Sequence, residues 1–235
     1  MDTLSLNVPD TIMTEKVTGT GAASGSTAES VRLRSGIGVS LRNILSPDFI
    51  VPDGFQWIVM RASYGQNIKV QETLSSNGIF SYVPFETVQK KDKSGKKKKI
   101  RKPVFTNYIF VLATTDDARL FIGKSQTKYS LSCLDFAYDH TRHNEFGRDL
   151  RMTIPHTAMV NFIRLAEFDT YKVHSVNPSE VRFVKDGQVR ITDGAFKGIT
   201  GRVARIHNQT TVVVTLEGVV SMTTAYIPQH FITPL

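Results

Sequence analysis

Between Lys90 and Lys102 the chain places nine basic side chains, Lys90, Lys91, Lys93, Lys96, Lys97, Lys98, Lys99, Arg101 and Lys102, against one acid, Asp92. Such density concentrates positive potential at one place, where screening over about 8–10 Å would blur a diffuse excess. The chemistry it offers is phosphate contact; the plainer alternative is a solvated hairpin tip that keeps the chain soluble. The whole chain carries a net charge of +8 over 235 residues, and without this segment 20 basic and 20 acidic residues remain. The excess therefore belongs to one segment.

Other candidate groups are weaker. His140 and His143, with Asp135, Asp139 and Glu145 nearby, have the donor types for a divalent metal. They fall in the stretch DHTRHNEFGRD, which reads as a solvated turn, so no metal site is expected. Gly123-Lys124-Ser125 imitates the end of a phosphate-binding loop, but Ala118 stands where that motif needs glycine. Cys133, the one cysteine, lies in an apolar run and reads as a small core residue. No serine, histidine and acid arrangement stands out, so no catalytic residue, cofactor or enzymatic activity is expected. With one cysteine, no export signal and no run of about 18 apolar residues, the chain reads as cytoplasmic and away from membranes.

The elements that position these groups begin near Phe55. Residues 1–54 read as a flexible leader of unknown role, with the small polar stretch Thr18–Ser30 as a tether. Trp57–Met60 predicts a buried strand, Gly65–Asn77 a helix with Ile68, Val70 and Leu74 inward, and Ile79–Val88 a strand. The lysine segment then joins that strand to Val104–Ala113 as a hairpin. In this last strand Tyr108, Phe110 and Leu112 share one face and Ile109 and Val111 the other. Either both faces are covered core, or one is an aromatic patch awaiting a partner. Thr115-Asp116-Asp117 opens a short helix, Leu131–Tyr138 a strand, and Pro155 a helix with Met159, Phe162, Ile163 and Ala166 on one face. Residues 55–168 thus form one α+β domain, 169–180 a linker, and 181–235 a set of short strands suited to a small β-barrel.

Trp57-Ile58-Val59, the Gly65 helix, the basic hairpin and Phe105-Thr106-Asn107-Tyr108-Ile109-Phe110-Val111 resemble the amino-terminal domain of NusG-family transcription factors. Asn-Tyr-x-Phe-Val is especially similar to the specialised RfaH branch. Gly187–Gly201 resembles the KOW motif of an SH3-like barrel, and Tyr138-Asp139 with Met152-Thr153-Ile154-Pro155 resembles UpxY-type antiterminators of surface polysaccharide operons. The resemblance implies an antiparallel sheet with flanking helices followed by a KOW barrel. It also implies a non-enzymatic, monomeric factor that holds the β′ clamp helices of RNA polymerase through Tyr108, Phe110 and Phe105 and suppresses pausing and termination. The lysine tip would then touch DNA of the elongation complex. Glu217-Gly218 stands where NusG carries a Phe-Gly pair for the ribosomal S10 protein or Rho, which leaves those partners open. The β-branched run Thr210–Thr215 favours a permanent barrel over a helical alternative. The rival reading is a KOW-type RNA-binding or ribosome-associated module; a metal-dependent nuclease built on His140 and His143 is a third.

Overall fold

Gln56–Ala62 (β1) and Tyr108–Ala113 (β5) pair antiparallel at the heart of a five-stranded sheet. The computed structural model describes residues 39–91, 95–167, 173–176, 182–184, 187–206, 209–216, 218–224 and 226–235. Phe80–Tyr82 (β2) flanks β5, while Leu134–Phe136 (β6) and Thr153–Ile154 (β9) both pair with β1. Strand alternation sends Trp57, Val59, Phe110 and Leu112 to one face and Ile58, Met60, Ile109 and Val111 to the other. Both faces are covered. The second is packed by Val70 and Leu74 of the helix Asn67–Ser76 (α2) and by Ala118 of Thr115–Arg119 (α3).

Several expectations shift by identifiable causes. In α2 Val70 and Leu74 turn inward as expected, but Ile68 stays 41% exposed and Asn67 is buried in its place, because its side-chain amide donates to the Phe105 carbonyl at 2.8 Å. The cap of α3 is Thr114, whose Oγ1 accepts from Asp117 N–H at 3.1 Å, one residue before the expected position. Pro84 separates β2 from Phe85–Lys91 (β3), and β3 pairs with Lys97–Pro103 (β4) rather than with β5. Most of the lysines therefore lie in the strands themselves. The stretch read as a loop around the histidines is a hairpin, Tyr138–His143 (β7) against Asp149–Arg151 (β8).

The helix His156–Ala166 (α4) starts just past Pro155, as its spacing predicts. It lies over the Trp57 and Phe110 face, and its Met159, Phe162, Ile163 and Leu165 are fully buried. On its far side is a second, seven-stranded antiparallel sheet. Its strands are Val173–Val176 (β10), Arg182–Phe183 (β11), Val189–Ile191 (β12), Thr200–Ile206 (β13), Gln209–Leu216 (β14), Val220–Thr224 (β15) and Ile232–Pro234 (β16). β10 pairs with β15, so this part of the expected 169–180 linker is a strand of that sheet. Gly201 is required where β13 passes β14, since a Cβ there would collide with the Val213 carbonyl. Val189, Ile191, Val212, Val214 and Leu216 join one continuous apolar cluster with α4 and the first sheet.

The leader is not wholly a tether. A helical turn at Leu41–Ile44 (α1), capped by Ser40, seats Ile44 in the same cluster with 0% exposure, with Leu41, Leu45, Phe49 and Val51 packed around it. Thr18–Ser30 lies outside the described residues. Truncating Ile44 would leave a cavity that the surrounding sheets and helix cannot fill. Ile44→Ala is expected to lower unfolding stability by about 2–5 kcal/mol, read from the urea midpoint of the full chain.

Candidate interaction surfaces

The basic ribbon is set by the β3–β4 register. Lys90 faces Lys98 and Lys91 faces Lys97 across the strands, followed toward the body by Gln89 with Lys99, Val88 with Ile100, Thr87 with Arg101 and Glu86 with Lys102. Side chains of Lys90, Lys91, Lys96, Lys97, Lys98, Lys99, Arg101 and Lys102 are all exposed. Lys93 lies outside the described residues. Near the body the charge is tempered: Lys102 Nζ is 3.0 Å from Glu86 Oε1, and the Arg101 guanidinium sits 4.6 Å over the Phe85 ring. Phe85 is in turn packed against the core of the first sheet, so the base of the ribbon is anchored.

Phe105, Tyr108 and Phe110 are brought together where β5 begins. The Phe105 ring meets the Tyr108 ring edge-on at 6.2 Å and the Phe110 ring at 6.3 Å. The segment before β5 is pinned by backbone bonds, Gly65 N–H to the Thr106 carbonyl and Ala62 N–H to the Asn107 carbonyl, as well as by Asn67 on Phe105. Phe105 and Tyr108 are half-buried, whereas Phe110 has 0% exposure and packs on Phe162 of α4 with ring centres 5.5 Å apart. Beside them Tyr64, 82% exposed, stands over a shallow cleft lined by Arg61, Ser63, Thr106 and Asn107. Nothing in the spacing around Tyr64 marks it; its exposure follows from the turn at Gly65, where φ is +72°.

Polar contacts hold α4 against its neighbours. Trp57 Nε1–H donates to His156 Nδ1 at 3.1 Å, and the Phe49 ring lies 5.4 Å from the imidazole. Arg164 donates to the Leu45 carbonyl at 2.9 Å. The Tyr82 hydroxyl donates to Glu167 at 2.9 Å, and burial, reinforced by that carboxylate, pushes the phenol well above its usual value. Toward the second sheet, the buried Asn161 amide donates to Thr200 Oγ1 at 2.5 Å and accepts from Thr200 N–H at 3.2 Å.

The histidines do not gather the acids near them in sequence. His140 and His143 place their Nδ1 atoms 2.5 and 2.9 Å from the two oxygens of Asp149, which the His140 hydrogen bond holds below the usual carboxylate value. Asp139 is engaged by Thr141, and Asp135 by Lys124 at 2.9 Å. Among the described residues no three histidine, cysteine or acidic side chains form a metal-holding group. Cys133 is half-buried against the core, and no helix among the described residues is long and apolar enough to cross a membrane.

Residues 55–133 match the family model of NusG, described as transcription termination factor NusG. This range includes β1, the basic ribbon and the aromatic trio. No curated protein matches the chain. Ten chains of solved structures match it. One, titled "Domain interaction in Thermotoga maritima NusG", is 16% identical and covers 77% of this chain and 97% of its own, with a TM-score of 0.31. A superposition this loose adds nothing to the family match.

Burial pushes the His156 imidazole below its ordinary value of 6.5, so the fold holds the neutral ring that accepts from Trp57. With the folded value below the unfolded one, this contribution is full above about pH 6.5 and is lost as pH falls through the folded value. His156→Gln keeps an acceptor for Trp57 but does not titrate. Urea midpoints of the parent should fall more steeply than those of H156Q between about pH 6.5 and 5. Parallel profiles would show that His156 carries no proton linkage.

Proposed function

We propose that this protein is a transcription elongation and antitermination factor, acting without catalysis, that binds RNA polymerase through the aromatic trio at the start of β5. The observation that carries the reading is that Phe105, Tyr108 and Phe110 converge on one face within the 55–133 region that matches NusG. The partner surface is the β′ clamp helices. Helix-in-groove and aromatic anchoring give such a contact most of its energy through a few desolvated rings. Holding the clamp across the DNA channel favours the closed, elongating polymerase, a shift of population that requires no bond-making by the factor.

The finer reading is a specialist of the RfaH and UpxY kind, cytoplasmic and directed to particular operons such as surface polysaccharide loci. Asn107-Tyr108-x-Phe110-Val111 and the Met152–Pro155 entry to α4 support it. The second sheet is read as a KOW-type SH3-like barrel, on the strength of Gly187–Gly201 and the strand run that follows. The basic ribbon supplies contact with nucleic acid of the elongation complex, where lysines release counterions from phosphates.

The trio divides by exposure. Tyr108 and Phe105 present surface to a partner, and Phe110 supports them from beneath Phe162. Core RNA polymerase from the source organism, passed over the immobilised full chain, should be retained. Tyr108→Ala with Phe105→Ala should weaken retention by tenfold or more, since a central aromatic anchor contributes about 2 kcal/mol. Phe110→Ala should chiefly cost stability, about 3–5 kcal/mol by urea unfolding. Undiminished retention by a folded Y108A/F105A protein would remove the proposed surface, and absence of retention by the parent at low salt would remove the polymerase reading.

A further inference from the structure

The β3–β4 ribbon has two unequal sides. Directly opposed residues in an antiparallel pair point to the same side, and successive pairs alternate. One side therefore carries Lys91 with Lys97, Gln89 with Lys99, Thr87 with Arg101 and, at the base, Phe85 with Pro103. The other carries Lys90 with Lys98, Val88 with Ile100, and Glu86 with Lys102. Every charge on the first side is positive, and its other polar groups, Gln89 and Thr87, are neutral. The second side is interrupted: an apolar pair divides its lysines, and Glu86 holds Lys102 at 3.0 Å. Residues 92–94 lie outside the described residues and form no part of the site; the acid and the base among them, Asp92 and Lys93, are of opposite sign.

Along β4 the first side presents Lys97, Lys99 and Arg101, all exposed and each two residues from the next. At about 3.3 Å per residue they form a row with a step of about 6.6 Å. Like charges lined up on one side repel, and a parallel row of opposite charges removes that cost. The phosphate backbone of nucleic acid is such a row. This side offers no ring for base stacking: Phe85 lies under the Arg101 guanidinium at 4.6 Å and packs into the core of the first sheet. A single strand is held by stacking as well as by charge, so the side suits a ligand that needs phosphate contact alone. Duplex DNA is that ligand, because it releases more counterions for each phosphate neutralised than a single strand does.

We propose that duplex DNA lies against the Lys97, Lys99 and Arg101 side of the ribbon, with its phosphates along the β4 row and the Val88/Ile100 side turned away from it. This deepens the nucleic-acid contact proposed above and rests on it. No base-specific contact is implied, so affinity is electrostatic and independent of sequence.

The test titrates the full chain, over a range of salt, with two fluorescently labelled probes: a short duplex DNA and a single-stranded RNA of equal length. Lys97→Gln/Lys99→Gln removes two charges from the proposed side and Lys90→Gln/Lys98→Gln removes two from the other, so the two variants have the same net charge. The parent is expected to prefer duplex DNA. K97Q/K99Q should weaken duplex binding by tenfold or more and lower the slope of log affinity against log salt by about 1.8, the value for two lost phosphate contacts. K90Q/K98Q should leave the slope near that of the parent. Gln89→Glu guards against a shifted urea midpoint in the double variant: it sets an acid opposite Lys99, which favours the ladder, and should still weaken duplex binding. Equal losses from the two double variants, undiminished binding by Q89E, or tighter binding of the RNA would each overturn the proposal while leaving nucleic-acid contact by the ribbon in place. Failure of the parent to bind either probe at low salt would overturn both.

Discussion

One 11-residue helix, α4, is buried against both sheets, and the rest of the molecule is arranged around that constraint. Phe162 faces the first sheet through Phe110, and Asn161 faces the second through Thr200. A carboxamide taken out of water is costly unless its donor and acceptor are both used. Asn161 uses both against a single residue, which fixes the register of α4 against β13 in a way that apolar packing alone does not. The helix thereby lies between the two sheets within one continuous core. The leader closes the same seam, with Ile44 filling the cluster and Arg164 reaching the Leu45 carbonyl.

Around this helix the chain separates two kinds of surface. Apolar density is spent inside the body, where Asn67 and the backbone bonds of Gly65 and Ala62 hold the start of β5 and so fix Phe105 and Tyr108. Charge is placed outside it, on a ribbon that keeps only its base in the core. An interaction carried by the rings depends on desolvation and shape and varies little with salt; one carried by the lysines falls steeply with it. On the proposed function, separating the two lets the protein hold a protein partner while touching nucleic acid in passing.

Much of this was legible in the residues, and the failures have a common origin. The alternation in β1 and β5 and the three- and four-residue spacing of Met159, Phe162, Ile163 and Ala166 are local, and they predicted the elements correctly. The four short strands from Val189 to Thr224 were also placed, because glycine turns and β-branched runs punctuate them, whereas Ile232–Pro234 was not. Ile44 was not recognised as core because a four-residue turn has no periodicity of its own, and the cluster it joins reaches residues more than 100 positions away on α4 and beyond. β10 was taken for linker for the same reason: its pairing partner is β15. Pro84 moved the hairpin by one strand, since it ends β2 and forces the lysines into a ladder with β3. At Phe110 the residues alone left core and patch open, and α4 covers it in the structure; Phe105 and Tyr108 keep part of their surface.

The central claim is that α4 makes the two sheets one cooperative unit. Trp57 is the only tryptophan and reports on the first sheet, while far-ultraviolet circular dichroism reports on the strands of both. Urea unfolding of the full chain followed by the two signals, for the parent and for Thr200→Val, tests it directly. The account predicts coincident transitions, both moved to lower urea by T200V, equivalent to about 1–3 kcal/mol for an Asn161 amide left unpaired. Two separate transitions, with the Trp57 signal unmoved by T200V, would contradict it.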